Sequence, residues 1–244
     1  MRLGIIGGTG AVELLDSERS TAITTPFGAP SDRPREVSVA GFPMWFLARH
    51  GRPHRIPPHR VNYRANIHAL RTLGVDAVLA INAVGGLSAS LQPGQLVLPD
   101  QLIDYTWGRA HTFSDGGSAP LRHVDFTHPF AGPLRDAVAR VGGREIVDGG
   151  CMAVTQGPRL ETAAEVRQLA AAGCDIVGMT SMPEAALARE AGLDYASVAV
   201  IANAGAGLQA GPITEADIAG VLDEAMTRVR ALIQRLAAAC VDGG

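Results

Sequence analysis

The sequence predicts an α/β fold built around a mostly parallel β-sheet. Several short apolar runs rich in β-branched residues end in glycine or a polar residue, a pattern typical of strands buried on both faces of a sheet. Segments with helical periodicity separate these runs, and such alternation favours parallel strands joined by helices. The six predicted strands are Leu3–Ile6, Met44–Leu47, Ala77–Ile81, Gln95–Leu98, Ile176–Met179 and Tyr195–Ile201.

Four segments have the periodicity of amphipathic helices. In Asn62–Leu73 the apolar residues Ala65, Ile67 and Leu70 share one face, and Gly74 follows as a stop. The other three predicted helices are Glu161–Ala172, Pro183–Ala191 and Glu215–Ala238, and residues 11–16 (AVELLD) are also helix-like. We find no internal repeat and no interdomain linker, so we expect a single domain over residues 1–244.

The stretch Trp107–Thr127 differs from the rest because it has neither helical nor strand periodicity. It contains Gly108, the run SDGGSAP and two histidines. We expect a long surface loop, and loops of this length without secondary structure are often functional.

The composition is that of a globular chain without a general charge-based partner. Of its 244 residues, 47% are hydrophobic and 18% are charged, and the formal net charge is −3. This balance gives no reason to expect nucleic-acid or anionic-membrane binding, so any anion site must be local. All 21 basic residues are arginine, and the absence of lysine excludes a Walker lysine or a Schiff-base mechanism.

Cysteine usage and hydropathy predict a soluble, cytoplasmic protein. The three cysteines, Cys151, Cys174 and Cys240, have no CxxC spacing, and we interpret them as reduced thiols rather than disulfides or zinc ligands. The N-terminus MRLGIIGGTG enters a strand-like run at once and lacks the features of a signal peptide. No segment approaches the roughly 20 apolar residues of a membrane span, so we expect no membrane partner.

A glycine-rich turn, Gly7-Gly8-Thr9-Gly10, follows the first predicted strand. Such a turn leaves backbone N–H groups free to face an anion, and Thr9 adds a hydroxyl. The motif is not GxGxxG, and no acidic residue ends a second strand about 20 residues later, as a dinucleotide site of the Rossmann type would need. A tight structural turn is the alternative interpretation.

Three other predicted strands end in residues suited to an anion. The segment Arg49–Arg55 (RHGRPHR) supplies arginines, which can hold phosphate in a bidentate fork, and histidines, which can add a hydrogen bond. An exposed basic turn is the alternative. Small residues in a turn at Asn82–Gly86 allow backbone to come close to a ligand, and Gly178–Ser181 adds hydroxyls. Because open α/β sheets bind ligands at the carboxyl ends of strands, these ends together predict one site.

The chain resembles the trimeric purine nucleoside phosphorylase and methylthioadenosine phosphorylase family over nearly its whole length. The resemblance runs through IIGGTG, FLARHGRPHRIPPHRVNYRANIHAL, INAVGGL, QPGQLVLPDQLIDYT, TQGPRLETAAE and DIVGMTSMPEAALARE. The RHGRxH…VNYRAN and GMTSMPEA blocks are the most specific of these. The resemblance implies a twisted mixed sheet surrounded by helices, a homotrimer, and phosphorolysis of purine nucleosides with inorganic phosphate as co-substrate and no metal or organic cofactor.

The resemblance also assigns a phosphate site, with His50 among the catalytic residues. The residues carried over by motif are Thr9, Arg49, His50, Ala83 and Thr180. Which of Arg49, His50, Arg52 and His54 contacts phosphate stays open. Met179 would line the ribose, with an ordinary core methionine as the alternative. His123, in RHVDFTHPF, would reach into the neighbouring subunit's site.

Two further residues would recognise the purine and assist its departure. The family's base pocket corresponds here to Glu161, in GPRLETAAE, and Asn203, in VIANAGAG. A carboxylate can accept from the N1–H of a 6-oxopurine, and an amide can serve O6 and N7 together. The adenine-preferring branch has aspartates after the last strand, where this chain has Asn203 and Gly205. The alternatives are a first-turn helix carboxylate for Glu161 and a turn residue for Asn203.

The sequence does not determine which 5′ substituent of the nucleoside the site accepts. The best register places Glu215 at the family's 5′ position, with Ile218 nearby, and a slip of one residue would substitute Thr214 or Ala216. The RHGRPHRIPPHRVNYRAN block resembles the methylthio branch, so a 5′-methylthioinosine phosphorylase would combine that branch with an oxopurine pocket. Inosine and guanosine are the other candidate substrates. The alternatives are a methylthioadenosine phosphorylase and, more remotely, a non-catalytic purine- or nucleotide-binding module.

Overall fold

The computed structural model of the protein describes residues 1–11, 19–116 and 121–242. Within these ranges the chain forms eleven β-strands and five α-helices. The strands are β1 (Leu3–Gly7), β2 (Arg19–Ser20), β3 (Arg35–Val39), β4 (Phe42–Ala48), β5 (Ala77–Gly86), β6 (Leu96–Leu98), β7 (Gln101–Asp104), β8 (Ile146–Asp148), β9 (Cys151–Val154), β10 (Ile176–Gly178) and β11 (Asp194–Ala204). The helices are α1 (Tyr63–Thr72), α2 (Pro133–Gly142), α3 (Ala163–Ala171), α4 (Ser181–Glu190) and α5 (Glu215–Asp242).

The described strands form one mixed sheet centred on β5. The order is β2-β3-β4-β1-β5-β10-β9-β7, and β11 pairs with β5 and continues the sheet to β6 and β8. Six strand pairs are parallel, including β1 with β4 and β5, and β5 with β11. Four are antiparallel. The predicted α/β fold with a mixed, mostly parallel sheet and surrounding helices is confirmed.

Helices cover both faces of the sheet. The side chains of β1 alternate between two cores: Leu3 and Ile5 pack with α2 and α5, whereas Ile6 packs with α1 and α4. All five residues of β1 are buried, as the continuous apolar run predicted. A smaller cluster joins α3 to β9 and β10. None of the described helices combines the length and the apolar character needed to cross a membrane.

Two strands continue further than the sequence predicted. We expected a turn at Asn82–Gly86, but β5 runs to Gly86 because β10 pairs with its last two residues and β11 pairs along its whole length. The turn interpretation of Asn203 is also wrong, because β11 runs to Ala204. Pairing with strands distant in the sequence overrides the local preference of small and turn-forming residues.

Several elements were not predicted. They are β2, β3, β7, β8, β9 and α2. The strand β3 alternates exposed and buried residues and lies near the sheet edge, so it lacks the continuous apolar run of the central strands. Helix α2 begins with Pro133 at its first turn and buries Leu134 and Val138.

Two predictions fall partly outside the described residues. These are residues 12–16 of the helix-like segment and residues 117–120 of the predicted loop. The described parts of Trp107–Thr127 contain neither helix nor strand, as predicted.

Candidate active site

Sheet register brings the carboxyl ends of β1 and β4 level with the middle of β5. Gly7 of β1 pairs with Ala48 of β4 and with Ile81 of β5. The next residues, Gly8, Arg49 and Asn82, therefore follow side by side. A cavity of about 870 Å³ opens here, a volume suited to a small-molecule substrate.

Eight of the nine predicted site residues line this cavity. They are Thr9, Arg49, His50, Ala83, Glu161, Met179, Thr180 and Asn203. The ninth, His123, is exposed on the long loop and does not line the cavity of its own chain. Its role in a neighbouring subunit's site stays a prediction, as do the individual roles of the other eight.

Gly8 allows the turn after β1 to lie close to Arg49 and to the backbone of β5. Its N–H donates to the Ile81 carbonyl across 3.1 Å. A Cβ atom at position 8 would lie 2.8 Å from both Arg49 Nη1 and the Ile81 oxygen, closer than packing permits. The glycine at position 8 thus has a steric cause, which is the proximity of the Arg49 guanidinium and the Ile81 carbonyl.

Arg49 is fully buried and pairs with Glu184 of α4. Its Nε donates to Glu184 Oε2 (2.8 Å), its Nη2 donates to Glu184 Oε1 (2.7 Å), and its Nη1 donates to the Ile81 carbonyl (3.0 Å). Tyr195 Oη adds a hydrogen bond to Glu184 Oε1 (2.9 Å). Burial opposes the charge on Arg49, but the carboxylate of Glu184 outweighs it and raises the pKa of Arg49 above its ordinary value. These bonds use three of the five guanidinium N–H groups.

Sequence reasoning did not identify Glu184 as part of the site. It lies in the SMPEAALARE segment, whose other residues are mostly small or apolar. A carboxylate on the buried face of such a helix requires a cationic partner, because an unpaired buried charge is strongly unfavourable. The need of a buried carboxylate for a cationic partner is the feature that could have identified Glu184 from the sequence.

His50 is a buried, neutral imidazole with a defined tautomer. Its Nδ1 lies 2.7 Å from the Ile56 carbonyl, which can only accept, so Nδ1 carries the hydrogen and Nε2 is an acceptor. The ring stacks on His54 with centroids 4.4 Å apart. Burial, with the neighbouring charge of Arg49, lowers the pKa of His50 to about 4. Burial also lowers the pKa of His54.

In the segment Arg49–Arg55, some of the candidate phosphate-binding residues line the cavity and one does not. Arg49, His50 and His54 line the cavity, whereas Arg52 does not. The Arg52 Nε lies 3.6 Å from Asp32 Oδ2, and its guanidinium lies over the Phe46 ring. Position in the motif therefore does not by itself determine which cation meets the ligand.

Thr180 ends a chain of buried hydrogen bonds that the sequence did not predict. Ser197 Oγ donates to Asn82 Oδ1 (2.9 Å), and Asn82 Nδ2 donates to Thr180 Oγ1 (2.8 Å). Because Thr180 Oγ1 accepts from the amide, its own hydrogen is free to donate elsewhere. Thr180 is the N-cap of α4, yet its side chain makes no capping hydrogen bond. The chain of donors thus ends in a hydroxyl available to a ligand.

Glu161 lies at another wall of the cavity, outside helix α3. The helix begins at Ala163, with Thr162 as N-cap and Glu165 completing a capping box. The interpretation of Glu161 as a first-turn carboxylate is therefore wrong, since Glu165 occupies that position. Instead, Glu161 Oε1 accepts from Thr155 Oγ1 across 2.6 Å.

Asn203 reaches the cavity through an irregularity in β11. The pairing of β11 with β5 shifts register between Ile201 and Asn203, and bulges of this kind re-aim side chains near active sites. Asn203 Nδ2 donates to the Ala204 carbonyl (2.8 Å). Its other N–H and its Oδ1 remain for a ligand. A Cβ at Gly205 would lie 3.1 Å from the Gly86 oxygen and from Val166, so this position is closely packed.

Arg109 of the long loop connects two cavity segments. It donates to the Met179 carbonyl (2.8 Å) and the Met182 carbonyl (2.6 Å) on one side, and to the Gln156 carbonyl (2.9 Å) and the Thr155 carbonyl (3.3 Å) on the other. Among the described residues no carboxylate forms an ion pair with it. The sequence suggested a functional loop but not this arginine.

The start of α5 forms the last wall. Ile213, Glu215, Ile218 and Ala219 line the cavity, and Glu215, the first helical residue, is exposed. Across the part of the chain that the structure describes, no group of three or more His, Cys, Asp or Glu side chains could hold a metal ion. The independence of the reaction from metals stays a prediction.

The chain is similar over most of its length to known proteins. The model of the family described as "Phosphorylase superfamily" matches residues 2–238. The Xanthomonas campestris protein named "Probable S-methyl-5′-thioinosine phosphorylase" is 50% identical over 241 residues, with 96% of each chain covered. The Pyrococcus furiosus protein named "6-oxopurine nucleoside phosphorylase" is 41% identical, covering 91% of this chain and 87% of its own.

The fold is also similar to a solved structure. Methylthioadenosine phosphorylase from Schistosoma mansoni in complex with adenine matches with a TM-score of 0.93 and 33% sequence identity, covering 99% of this chain and 92% of that chain.

Proposed function

The chain belongs to the phosphorylase superfamily, and on this premise we propose that it cleaves 6-oxopurine nucleosides with inorganic phosphate, 5′-methylthioinosine being its preferred substrate. It is a pentosyltransferase whose products are the free base and a ribose-1-phosphate-type sugar. The observation that carries this proposal is one cavity with hydroxyl and guanidinium donors at the strand ends and the pair Glu161 and Asn203 at another wall.

The reaction replaces one bond to the anomeric carbon by another. A phosphate oxygen attacks C1′ from the face opposite the purine, the C1′–N9 bond breaks, and the configuration at C1′ inverts. Positive charge develops on the sugar and negative charge on the departing base. The protein therefore acts by orienting phosphate and by stabilising charge on the purine.

We assign phosphate to the strand ends. Thr180 donates the hydrogen left free by Asn82, Arg49 offers two N–H groups, and Thr9 with the backbone near Ala83 completes the cradle. His50 differs from these donors because its Nε2 accepts. Hydrogen phosphate dianion has one O–H group, and we propose that this group points to His50, leaving the unprotonated oxygens to face C1′.

We assign the purine to Glu161 and Asn203. The Glu161 carboxylate accepts from N1–H of the base. Asn203 has one N–H bound to the Ala204 carbonyl, and its second N–H can donate to O6 while Oδ1 accepts from N7–H. The dianionic sugar phosphate that forms has lost the O–H proton of hydrogen phosphate, and this proton, passed through water, is the net source of the proton on N7. Protonation of N7 keeps the departing purine neutral, so the contact at N7 strengthens in the transition state, which accelerates the reaction.

The preference for a 5′-methylthio group rests on relatives and on the apolar part of the α5 wall. Two relatives with the methylthioinosine name are 50% and 48% identical to this chain. Ile213, Ile218 and Ala219 offer apolar surface to a thioether, and the exposed Glu215 can keep its carboxylate in water. Methylthioadenosine is the second candidate, favoured by the Schistosoma mansoni structure with adenine.

Further properties of the enzyme belong to the same proposal. We propose a single domain over residues 1–244, a homotrimer in which His123 completes the neighbouring site, a cytoplasmic location, and no cofactor beyond phosphate as co-substrate. Relatives of similar length support the single domain. The exposure of His123 supports its role in a neighbouring subunit of the homotrimer.

The reaction class is tested by product analysis. Purified protein treated with EDTA and incubated with 5′-methylthioinosine should release hypoxanthine only when phosphate is present. Phosphorus NMR should show 5-methylthioribose 1-phosphate in the α configuration, in amounts equal to hypoxanthine. Release of hypoxanthine without phosphate, or formation of free 5-methylthioribose, would indicate hydrolysis and contradict the proposal.

A further inference from the structure

Thr155 occupies a rigid position beside the base-recognition carboxylate. It follows β9 directly, and its N–H donates to the Gly178 carbonyl across 2.8 Å, extending the pairing of β9 with β10. Its own carbonyl accepts from Arg109. The backbone of Thr155 is therefore held by two bonds that do not involve its side chain.

The hydroxyl of Thr155 is directed at Glu161. Thr155 Oγ1 lies 2.6 Å from Glu161 Oε1, whereas the other acceptor within reach, the Gly178 carbonyl, is 3.4 Å away. A hydroxyl has a single hydrogen, and the shorter contact to a carboxylate is the stronger one. The Thr155 hydroxyl therefore donates its hydrogen bond to Glu161.

Glu161 depends on this hydrogen bond for its orientation. It lies between β9 and α3, in a segment without helix or strand, and among the described residues Thr155 is the one donor to its carboxylate. The nearby cation Arg159 is paired with Glu165 instead, at 2.7 and 2.8 Å. Without Thr155, the carboxylate would be free to adopt other rotamers.

We propose that Thr155 is a specificity-determining residue, which holds Glu161 so that Oε2 alone meets the base as a hydrogen-bond acceptor. This inference rests on the proposed function. A 6-oxopurine presents N1–H to that oxygen and gains a hydrogen bond. Adenine presents the N1 lone pair, so two acceptors would face each other without a proton, and the single hydrogen of Thr155 already points at Oε1.

The test compares Thr155→Val, which keeps the shape and the β-branched backbone preference, with Thr155→Ser, which keeps the hydroxyl. The measurements are kcat/KM for 5′-methylthioinosine and 5′-methylthioadenosine at saturating phosphate, and KM for phosphate. Thr155→Val should lower kcat/KM for methylthioinosine at least tenfold, the effect expected for a lost hydrogen bond to a charged group. It should change kcat/KM for methylthioadenosine and KM for phosphate less than twofold.

Two controls separate specificity from general damage. Thr155→Ser should stay within threefold of the wild type on both nucleosides, because it retains the donor. Thr72→Val, on the exposed end of α1, should leave every kinetic constant unchanged. If Thr155→Val is poorly folded by circular dichroism, Thr155→Ala supplies the same loss of the donor with less bulk, and the same substrate ratio applies.

The outcomes distinguish this inference from the proposed function. Suppose that the wild type turns over methylthioinosine but the folded variant without the hydroxyl has an unchanged substrate ratio. That result overturns the role of Thr155 and leaves the proposed function standing. Equal losses on both nucleosides also overturn it, because they indicate a structural role. A wild type that releases no hypoxanthine overturns both.

Discussion

Glu184 and Arg49 form a bidentate ion pair in which neither side chain is accessible to solvent. The pair joins helix α4 to the end of β4, beneath the turn that contains Gly8. Its rigidity gives the cavity a cation whose position does not depend on a ligand. Such preorganisation reduces the reorganisation needed when phosphate binds.

Glu184→Gln should destabilise the protein substantially. Removal of one charge from a buried pair leaves the other uncompensated, which costs about 3–5 kcal/mol. The double variant Arg49→Met with Glu184→Leu should recover much of this lost stability, because two apolar side chains replace the ion pair. Its affinity for phosphate should nevertheless be strongly reduced. Urea unfolding at fixed protein concentration measures the first effect. A Glu184→Gln variant within about 1 kcal/mol of the wild type would show that the pair is not critical.

Asn82→Asp should weaken phosphate binding selectively. The change keeps the size of the side chain but replaces the donor at Thr180 with an acceptor, so the hydrogen of Thr180 turns toward the new carboxylate and away from phosphate. The added negative charge acts in the same direction. We expect KM for phosphate to rise at least tenfold, whereas the inhibition constant of hypoxanthine should change little. Equal weakening of both ligands would argue against the directed hydrogen-bond chain.

His50 should make folding stability depend on pH between about 6.5 and 4. Its pKa in the folded protein is about 4, below the ordinary 6.5. In this window the unfolded chain binds a proton that the folded protein does not, so stability falls as pH falls. The loss attributable to His50 is about 3 kcal/mol over the window.

The variant His50→Gln isolates that contribution. Glutamine cannot titrate, so the difference in unfolding free energy between wild type and variant should shift by this amount between pH 7 and pH 4. A difference that stays constant across the window would show that His50 is protonated in the folded protein well above pH 4.

Asn203→Asp should shift base preference toward adenine. A carboxylate accepts from N6–H and from N7–H of an adenine, whereas it cannot donate to the O6 of an oxopurine. We expect the ratio of kcat/KM for methylthioadenosine over methylthioinosine to rise at least tenfold. Gly205, directly after this strand, limits a second change, because a side chain there would lie 3.1 Å from the Gly86 oxygen. An unchanged ratio would remove Asn203 from base recognition.

Arg109→Met should impair both ends of the cavity at once. The arginine binds the carbonyls around Met179 and Met182 and those of Thr155 and Gln156, so its loss should raise KM for phosphate and for nucleoside together. The matched control is Arg64→Met, which breaks the exposed ion pair with Asp115 of the same loop. The control should change kinetics less than twofold, since exposed pairs contribute little. Similar effects of the two variants would contradict the positioning role of Arg109.

The central strands, and the meeting of most predicted site residues at one cavity, could be predicted from the sequence for a physical reason. The apolar runs Leu3–Ile6, Met44–Leu47 and Ile176–Met179 identify strands by local composition, and parallel strands bring their carboxyl ends to one edge. The persistence of β5 and β11 through small residues could not be predicted in this way. It depends on pairing between segments more than a hundred residues apart.

The supporting residues were missed for a related reason. Glu184 is 135 residues from Arg49, and Arg109 is 70 residues from Met179. Each has the ordinary appearance of a charged residue in a helix or a loop. Thr155 and Glu161 are only six residues apart, but their contact arises because the chain leaves β9 before entering α3. Contacts of this kind become visible only when the fold is known.

The most direct test of the account is the ratio of kcat/KM for 5′-methylthioinosine to that for 5′-methylthioadenosine, measured with the wild-type enzyme at saturating phosphate. An acceptor at Glu161 and an amide at Asn203 predict a ratio of at least about a hundred, since a mismatched pair of buried polar groups discriminates strongly. A ratio below one would keep the phosphorolytic site and contradict the assignment of these two residues to a 6-oxopurine.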